Sequence, residues 1–218
     1  MIDKLYAEYA WEQTAALLAI DSPSGFTAKA VSWLKEQFET LGFSAAITTK
    51  GGLIVDLGGE NPDNALMLAA HTDTLGAMVA QIKGNGRLKM TNLGGMRPEN
   101  AETENVRVYT RSGKVIEGTC QLSNASIHVN GDYNSAKRGF DNMEVVLDED
   151  VASAADTRAL GIEVGDIVCF DPRTRRTASG YLKSRFLDDK LSVGVMMGFA
   201  RYLADNKIVP QRRTWVHV

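Results

Sequence analysis

Cysteine is scarce: Cys120 and Cys169 are the only two in 218 residues, and they stand far apart in the chain. Two such residues give neither a disulfide framework nor a clustered thiolate site, and buried thiols in a reducing compartment are the plain expectation. Histidine is nearly as rare, with three in all. Long apolar runs are missing, since no stretch approaches the roughly 20 residues of a membrane-spanning helix. The start, Met1-Ile2-Asp3-Lys4-Leu5-Tyr6-Ala7-Glu8, lacks a basic segment followed by an apolar run and a small-residue cleavage site. No secretory leader is expected, and the cytoplasm is the expected location. Charge of one sign is lacking too: a formal net charge of -3 argues against a nucleic-acid partner and gives no sign of a membrane-surface role. Neither G-x-x-x-x-G-K-[ST] nor a G-x-G-x-x-G after a strand occurs, and there is no Gly-x-Ser-x-Gly nucleophile elbow.

What is present is ordinary globular material, with 44% hydrophobic and 23% charged residues. Its length suits one domain carrying a large insertion. Asp3 to Ile20 reads as a helix with Leu5, Tyr9, Ala16 and Leu17 near one face, broken by Asp21-Ser22-Pro23-Ser24-Gly25. A second helix from about Thr27 carries Ala30, Val31, Leu34, Phe38 and Leu41 at helical spacing and ends at Gly42. Strands are expected at Ser44 to Thr48 and Leu53 to Leu57, then a polar loop from Gly58 to Asn64. The continuous apolar run Ala65 to Ala70 suits a strand buried on both faces, which would deliver His71 to its carboxyl end.

The pattern changes after about Ala77. Short strand-like pieces alternate with glycine turns up to about Thr177, including a hairpin of Val106 to Thr110 with Lys114 to Gly118 and a short helix near Ala152 to Leu160. From Asp189 to Asn206 a strong helix returns, with Leu191, Val195, Gly198, Phe199, Tyr202 and Leu203 on one side; a strand, Thr214 to Val218, follows Pro210. The expected architecture is α/β: a mixed sheet flanked by helices, built from residues 1–76 and 178–218, with a β-rich, barrel-like domain inserted at 77–177.

Two short motifs could carry chemistry. His71-Thr72-Asp73 follows the apolar strand; imidazole ligates zinc or cobalt well when its second ring nitrogen is held by an acceptor, yet a motif this short, standing alone, reads more readily as a structural histidine closing a strand. Asp188-Asp189 precedes the strong helix, where a carboxylate can bridge two cations or simply cap the helix end. His217 lies within the final strand and reads as structural, and Arg173-Thr174-Arg175-Arg176 reads as a solvated turn.

Taken together, Ser24-Gly25-Phe26, Gly52-Leu53-Ile54, Ala69 to Val79 around His71-Thr72-Asp73, Gly94-Gly95 with Arg97-Pro98, Leu160 to Asp166 and Ser184 to Lys190 resemble the glutamyl and tetrahedral aminopeptidases, the forty-second metallopeptidase family. The resemblance implies an incomplete dinuclear zinc-peptidase-like fold. His71 would bind one metal, Asp188 would bridge two, and Asp73 would be the catalytic-site aspartate that supports them. The implied cofactors are two divalent ions, zinc or cobalt. The implied activity is removal of N-terminal residues from peptides, by a homo-oligomer assembled through the β-rich insertion. The chain departs from the family at Asp73-Thr74-Leu75-Gly76, where the family has Asp-Glu-Ile-Gly, and at Phe186-Leu187-Asp188, where it has Ala-Leu-Asp. Family members also continue past the final strand into a Glu-Glu pair, an aspartate ligand and a later histidine ligand. After Asp189 the only acidic residue here is Asp205. Two metals need about four or five protein ligands. The expectation is therefore an N-terminal portion that binds metal weakly and is inactive alone. Two other readings are a non-catalytic assembly or regulatory protein, and a related dinuclear deacylase or carboxypeptidase acting on a small amide. A sheet without its later strands would expose an edge and an apolar face and favour self-association.

Overall fold

A computed structural model describes residues 4–218, so Asp3, the expected helix start, lies outside the described residues. In chain order the elements begin with α1 (Lys4–Leu18), α2 (Ala28–Thr40), β1 (Ser44–Ile47), β2 (Leu53–Asp56) and β3 (Asn61–Ala69). There follow β4 (Gly76–Ile82), β5 (Leu88–Leu93), β6 (Asn105–Tyr109), β7 (Val115–Leu122), β8 (Met143–Leu147), α3 (Ala154–Ala159) and β9 (Ile167–Phe170). The chain closes with β10 (Arg175–Arg176), β11 (Leu182–Lys183), α4 (Leu187–Asn206) and β12 (Arg212–His217). The chain divides into two compact units: residues 1–74 with 172–218, and residues 75–171.

The first unit is a mixed α/β layer. Its sheet runs β1-β2-β12-β3, with β2 antiparallel to β12 and β12 parallel to β3. Side chains alternate along a strand, so Leu53, Val55, Val216 and Val218 fall on one face. That face meets Leu34 and Phe38 of α2, Leu17 of α1, and Val193, Met197 and Leu203 of α4 in a single core. Helix α2 ends as its sequence dictates: Leu41 is the C-cap, and Gly42 takes φ +89, a conformation open to glycine at no steric cost.

Helix α4 lies close against α1 because two glycines four residues apart leave room. A Cβ on Gly194 would fall 1.8 Å from Thr14 Oγ1, and one on Gly198 would fall 2.9 Å from Ala10 Cβ. Lys190, fully buried one turn earlier, donates from Nζ to Leu17 O (2.9 Å) and Ile20 O (2.7 Å). It adds a bond to Leu17 O, which also accepts from Ile20 N–H (3.1 Å), and holds the Ile20 carbonyl just past the end of α1.

Two expectations are corrected. The apolar run Ala65 to Ala70 is not buried on both faces. It belongs to β3, which begins earlier, at Asn61, inside the expected polar loop, and is the edge strand of this sheet. Leu68 packs on the core, while Met67 is 55% exposed. The α4 stripe expected to be its apolar face is likewise largely uncovered: Leu191, Val195, Phe199 and Tyr202 are exposed, and the buried face is made by Val193, Gly194, Met197, Ala200 and Leu203. The helix therefore has two apolar faces, and within the described residues only one of them is covered.

The second unit is a closed barrel of order β4-β5-β8-β7-β6-β9, completed where β9 pairs antiparallel with β4 at Ala77↔Val168. The hairpin β6–β7 pairs Val108 with Ile116, and both are buried. Gly118 is required where β7 crosses β8, since a Cβ there would fall 2.5 Å from Val146 O. Glu104, Glu144 and Asp166 are buried in this unit; Glu144, 1% exposed, accepts from Lys83 Nζ at 2.6 Å and Arg87 Nη1 at 2.5 Å. A buried carboxylate is tolerated when it is paired in this way. Helix α3 opens with a capping box between Ser153 and Asp156.

Candidate metal centre

The site is built from three chain segments of the first unit that converge near the end of α1. Strand β3 ends at Ala69; Ala70 N–H donates to His217 O of β12 (3.1 Å), and His71 follows. The turn leaving α1 then docks on the segment after His71. Ser22 Oγ donates to Thr72 O (2.7 Å) in a buried contact, Thr74 N–H donates to Ser22 O (2.8 Å), and Ser24 N–H donates to Thr74 O (3.2 Å). The third segment is the start of α4. Phe186 takes φ +63 and makes no side-chain cap bond, and Asp188 sits in extended backbone at φ -84, ψ 106 before the regular helix. The Asp188-Asp189 peptide is cis. Two residues on, Lys190 ties the helix to the α1 carbonyls.

The result places the two candidate ligands together across 117 residues of chain: His71 Nε2 lies 3.1 Å from Asp188 Oδ1. Asp73 stands on the other side of the ring, with both its backbone O and its Oδ1 3.1 Å from His71 Nδ1. Its second oxygen, Oδ2, accepts from Ser24 Oγ at 2.5 Å. Both groups beside Nδ1 are acceptors, and so is Asp188 Oδ1 beside Nε2; with its hydrogen on Nδ1 the ring would leave the Nε2 lone pair free for a cation on the Asp188 side. In that tautomer the 3.1 Å between Nε2 and Asp188 Oδ1 would suit a cation shared by both. Bonds of about 2.0–2.1 Å from one ion to each would subtend roughly 100° at the ion, within the range of tetrahedral and octahedral shells.

The pair cannot owe its geometry to its own attraction. His71 is 51% and Asp188 95% exposed, and exposed ion pairs contribute only about 0–1 kcal/mol. The backbone ties of Ser22, Thr74 and Lys190 set the positions instead. The alternative of a helix cap at Asp188 is not what is seen, because its carboxylate faces the imidazole.

The other candidates lie apart from this pair. His217 is within β12, paired with Ile54 of β2 and Ala69 of β3. Arg176 of the basic cluster forms a bidentate pair with Glu8 and stacks over Trp11, so it is a structural tie of α1. Asp205 pairs with Arg201 on the surface of α4 at 2.8 Å. Among the described residues no group of three or more His, Cys, Asp or Glu side chains is assembled for a metal. Among the described residues the candidate donors brought together are therefore His71 and Asp188, which suit part of the shell of one divalent ion. Beside the pair opens a cleft of about 270 Å³ lined by Ser24, Lys50, Gly52, His71, Asp73 and Val218, among others. Sequence reasoning assigned no role to Ser24 or Lys190. Their signals were a serine in the turn after a helix and a lysine directly following an acidic pair.

Comparison with known proteins bears on the family and the fold. The model of the family described as M42 glutamyl aminopeptidase matches residues 51–216. YhfE of Bacillus subtilis (strain 168), whose aminopeptidase label is provisional, is 44% identical over 181 residues, 83% of this chain and 52% of that protein. Two solved structures share the fold. A TET aminopeptidase from the marine sediment archaeon Thaumarchaeota archaeon SCGC AB-539-E09 superposes with a TM-score of 0.84 at 22% identity, over 96% of this chain and 58% of that one. The TET1 peptidase of Pyrococcus horikoshii, which can assemble into a tetrahedron or a large octahedral shell, gives 0.78 at 19% identity, over 95% and 60%. The chain spans about half the length of the curated relatives it matches.

Proposed function

Because the chain belongs to the M42 glutamyl aminopeptidase family, we propose that it carries part of the active centre of a metal-dependent aminopeptidase that removes N-terminal residues from peptides. The observation that supports this most directly is the 3.1 Å approach of His71 Nε2 to Asp188 Oδ1. In this reading His71 and Asp188 are ligands, and Asp73 orients the imidazole through Nδ1. Divalent ions held there, zinc or cobalt, would supply polarisation of the scissile carbonyl and an activated water. The part played by this chain's own residues is narrower: Asp73 holds the ring, Asp188 lends a carboxylate, and the cleft beside them admits a peptide end.

With two ligands, and no glutamate placed as a general base among the described residues, the chain by itself is proposed to bind metal weakly and to turn over slowly at most. The homo-oligomer proposed for it draws on the assembly named for the TET1 structure and on the closed barrel of residues 75–171. A barrel complete in itself, alongside a two-donor site, also supports a second reading, a non-catalytic assembly protein.

The test compares peptides that differ only in a free or acetylated N-terminus, offered to the chain with zinc or cobalt added. Slow cleavage confined to the free-amine peptide, lost in His71→Ala and in Asp188→Asn, is the expected result. Equal cleavage of the acetylated peptide would move the assignment to a deacylase. Tight binding of two metals per chain with rapid turnover would overturn both the partial centre and the assembly protein.

A further inference from the structure

Ser24 belongs to no ligand set, yet its hydroxyl makes the shortest contact in the site, 2.5 Å to Asp73 Oδ2. The neighbouring oxygen of that carboxylate is the one 3.1 Å from His71 Nδ1. A carboxylate's terminal torsion is broad and soft. An aspartate that is 43% exposed is not held in one rotamer by packing. A hydroxyl donating to one oxygen therefore decides where the other one points.

Ser24 is itself well held. Its N–H donates to Thr74 O, Thr74 N–H returns a bond to Ser22 O, and Ser22 Oγ reaches Thr72 O in a buried contact. A tight turn, with Phe26 N–H on Pro23 O at 2.7 Å, closes the segment, and Gly25 at φ +86 provides the bend. The turn after α1 thus grips the backbone on both sides of Asp73 and aims one hydroxyl at its carboxylate.

We propose that Ser24 is a positioning residue: its hydroxyl locks the Asp73 carboxylate, which in turn holds the His71 ring with Nδ1 on Asp73 and Nε2 facing Asp188. The inference rests on the metallopeptidase reading for its purpose but not for its geometry. Groups that orient a metal-bound histidine typically change metal affinity by about 10–100-fold when removed. Ser24 acts one bond further out, so a loss of about threefold to tenfold is expected on that scale.

Three histidines make the chain suited to a direct reading by NMR. Ring ¹⁵N shifts of His71 would be recorded in the metal-free chain and during titration with zinc, for the wild type, Ser24→Ala and Ser24→Thr. In Ser24→Ala the His71 ring shifts of the metal-free chain move away from their wild-type values, and zinc affinity read at His71 falls threefold to tenfold, while His128 and His217 are unmoved. Ser24→Thr, which keeps the hydroxyl, restores both. In an Asp73→Ala background Ser24→Ala adds nothing, as two members of one chain of contacts require. Unchanged His71 shifts in Ser24→Ala would overturn the proposal, and so would equal losses in the alanine and threonine variants. If the wild-type ring responds to Ser24→Ala but takes up no zinc, the positioning role stands and the metallopeptidase reading fails.

Discussion

At the scale of single residues, the site depends on tethers more than on mutual attraction. His71 and Asp188 are too exposed to hold each other, and the buried bonds of Ser22 and Lys190 fix the segments that carry them. Elsewhere a single residue shows how burial governs reactivity. The Cys120 thiol, inside the barrel, is pushed up to about 12 by burial first and by the nearby Glu102 and Glu104 carboxylates second. Only the thiolate reacts with alkylating reagents. In mildly alkaline solution Cys120 of the folded chain should therefore resist iodoacetamide and become labelled only in denaturant, as peptide mass spectrometry would read. Labelling at the unfolded rate would contradict this placement. The sign for stability follows. Below the ordinary thiol value of 9.0 the group is neutral in both states and has no effect. As pH rises from 9.0 toward 12 the unfolded thiol ionises first, so the barrel loses stability across that window.

At the scale of elements, the α1–α4 contact is the one most exposed to a single change. Gly194→Ala places a methyl against Thr14 Oγ1 and Ala10 O. Overpacking of this kind costs roughly 1–3 kcal/mol, offset in part by alanine's better helix propensity of about 1 kcal/mol. Urea denaturation should show a lower midpoint for Gly194→Ala, partly recovered when Thr14→Ala is added. No change in midpoint would mean that the helices separate freely there.

Elements with strong periodicity were legible in the sequence. Ala30, Val31, Leu34 and Phe38 are buried on α2, and the hairpin of β6 and β7 pairs where alternation placed it. Strand β3 was misread for a physical reason: an unbroken apolar run looks the same whether its faces are covered or open. Helix α4 posed the same problem, having two apolar faces with only one of them packed on α1. Contacts across long separations leave no periodic trace. Ser24 meets Asp73 from 49 residues away and His71 meets Asp188 from 117, so no local spacing could announce either. The second of these was reached only through resemblance to a family, and the first was not reached at all.

At the scale of the whole molecule, the uncovered surfaces decide behaviour in solution. Among the described residues strand β3 has one edge unpaired beside exposed Met67, and α4 presents Leu191, Val195 and Phe199. Open edges and contiguous apolar surface promote association. Sedimentation velocity across a concentration series should show the chain self-associating, and Met67→Lys with Val195→Lys should shift it toward monomer. A strictly monomeric species at high concentration would count against these surfaces being open.

The central claim, that His71 and Asp188 share a divalent ion, is tested most directly by anomalous diffraction from crystals soaked in zinc. The account predicts a peak about 2.0–2.2 Å from both His71 Nε2 and Asp188 Oδ1, bond lengths proper to zinc with nitrogen and oxygen ligands. Zinc found only at His128 or His217, with the pair left empty, would contradict it.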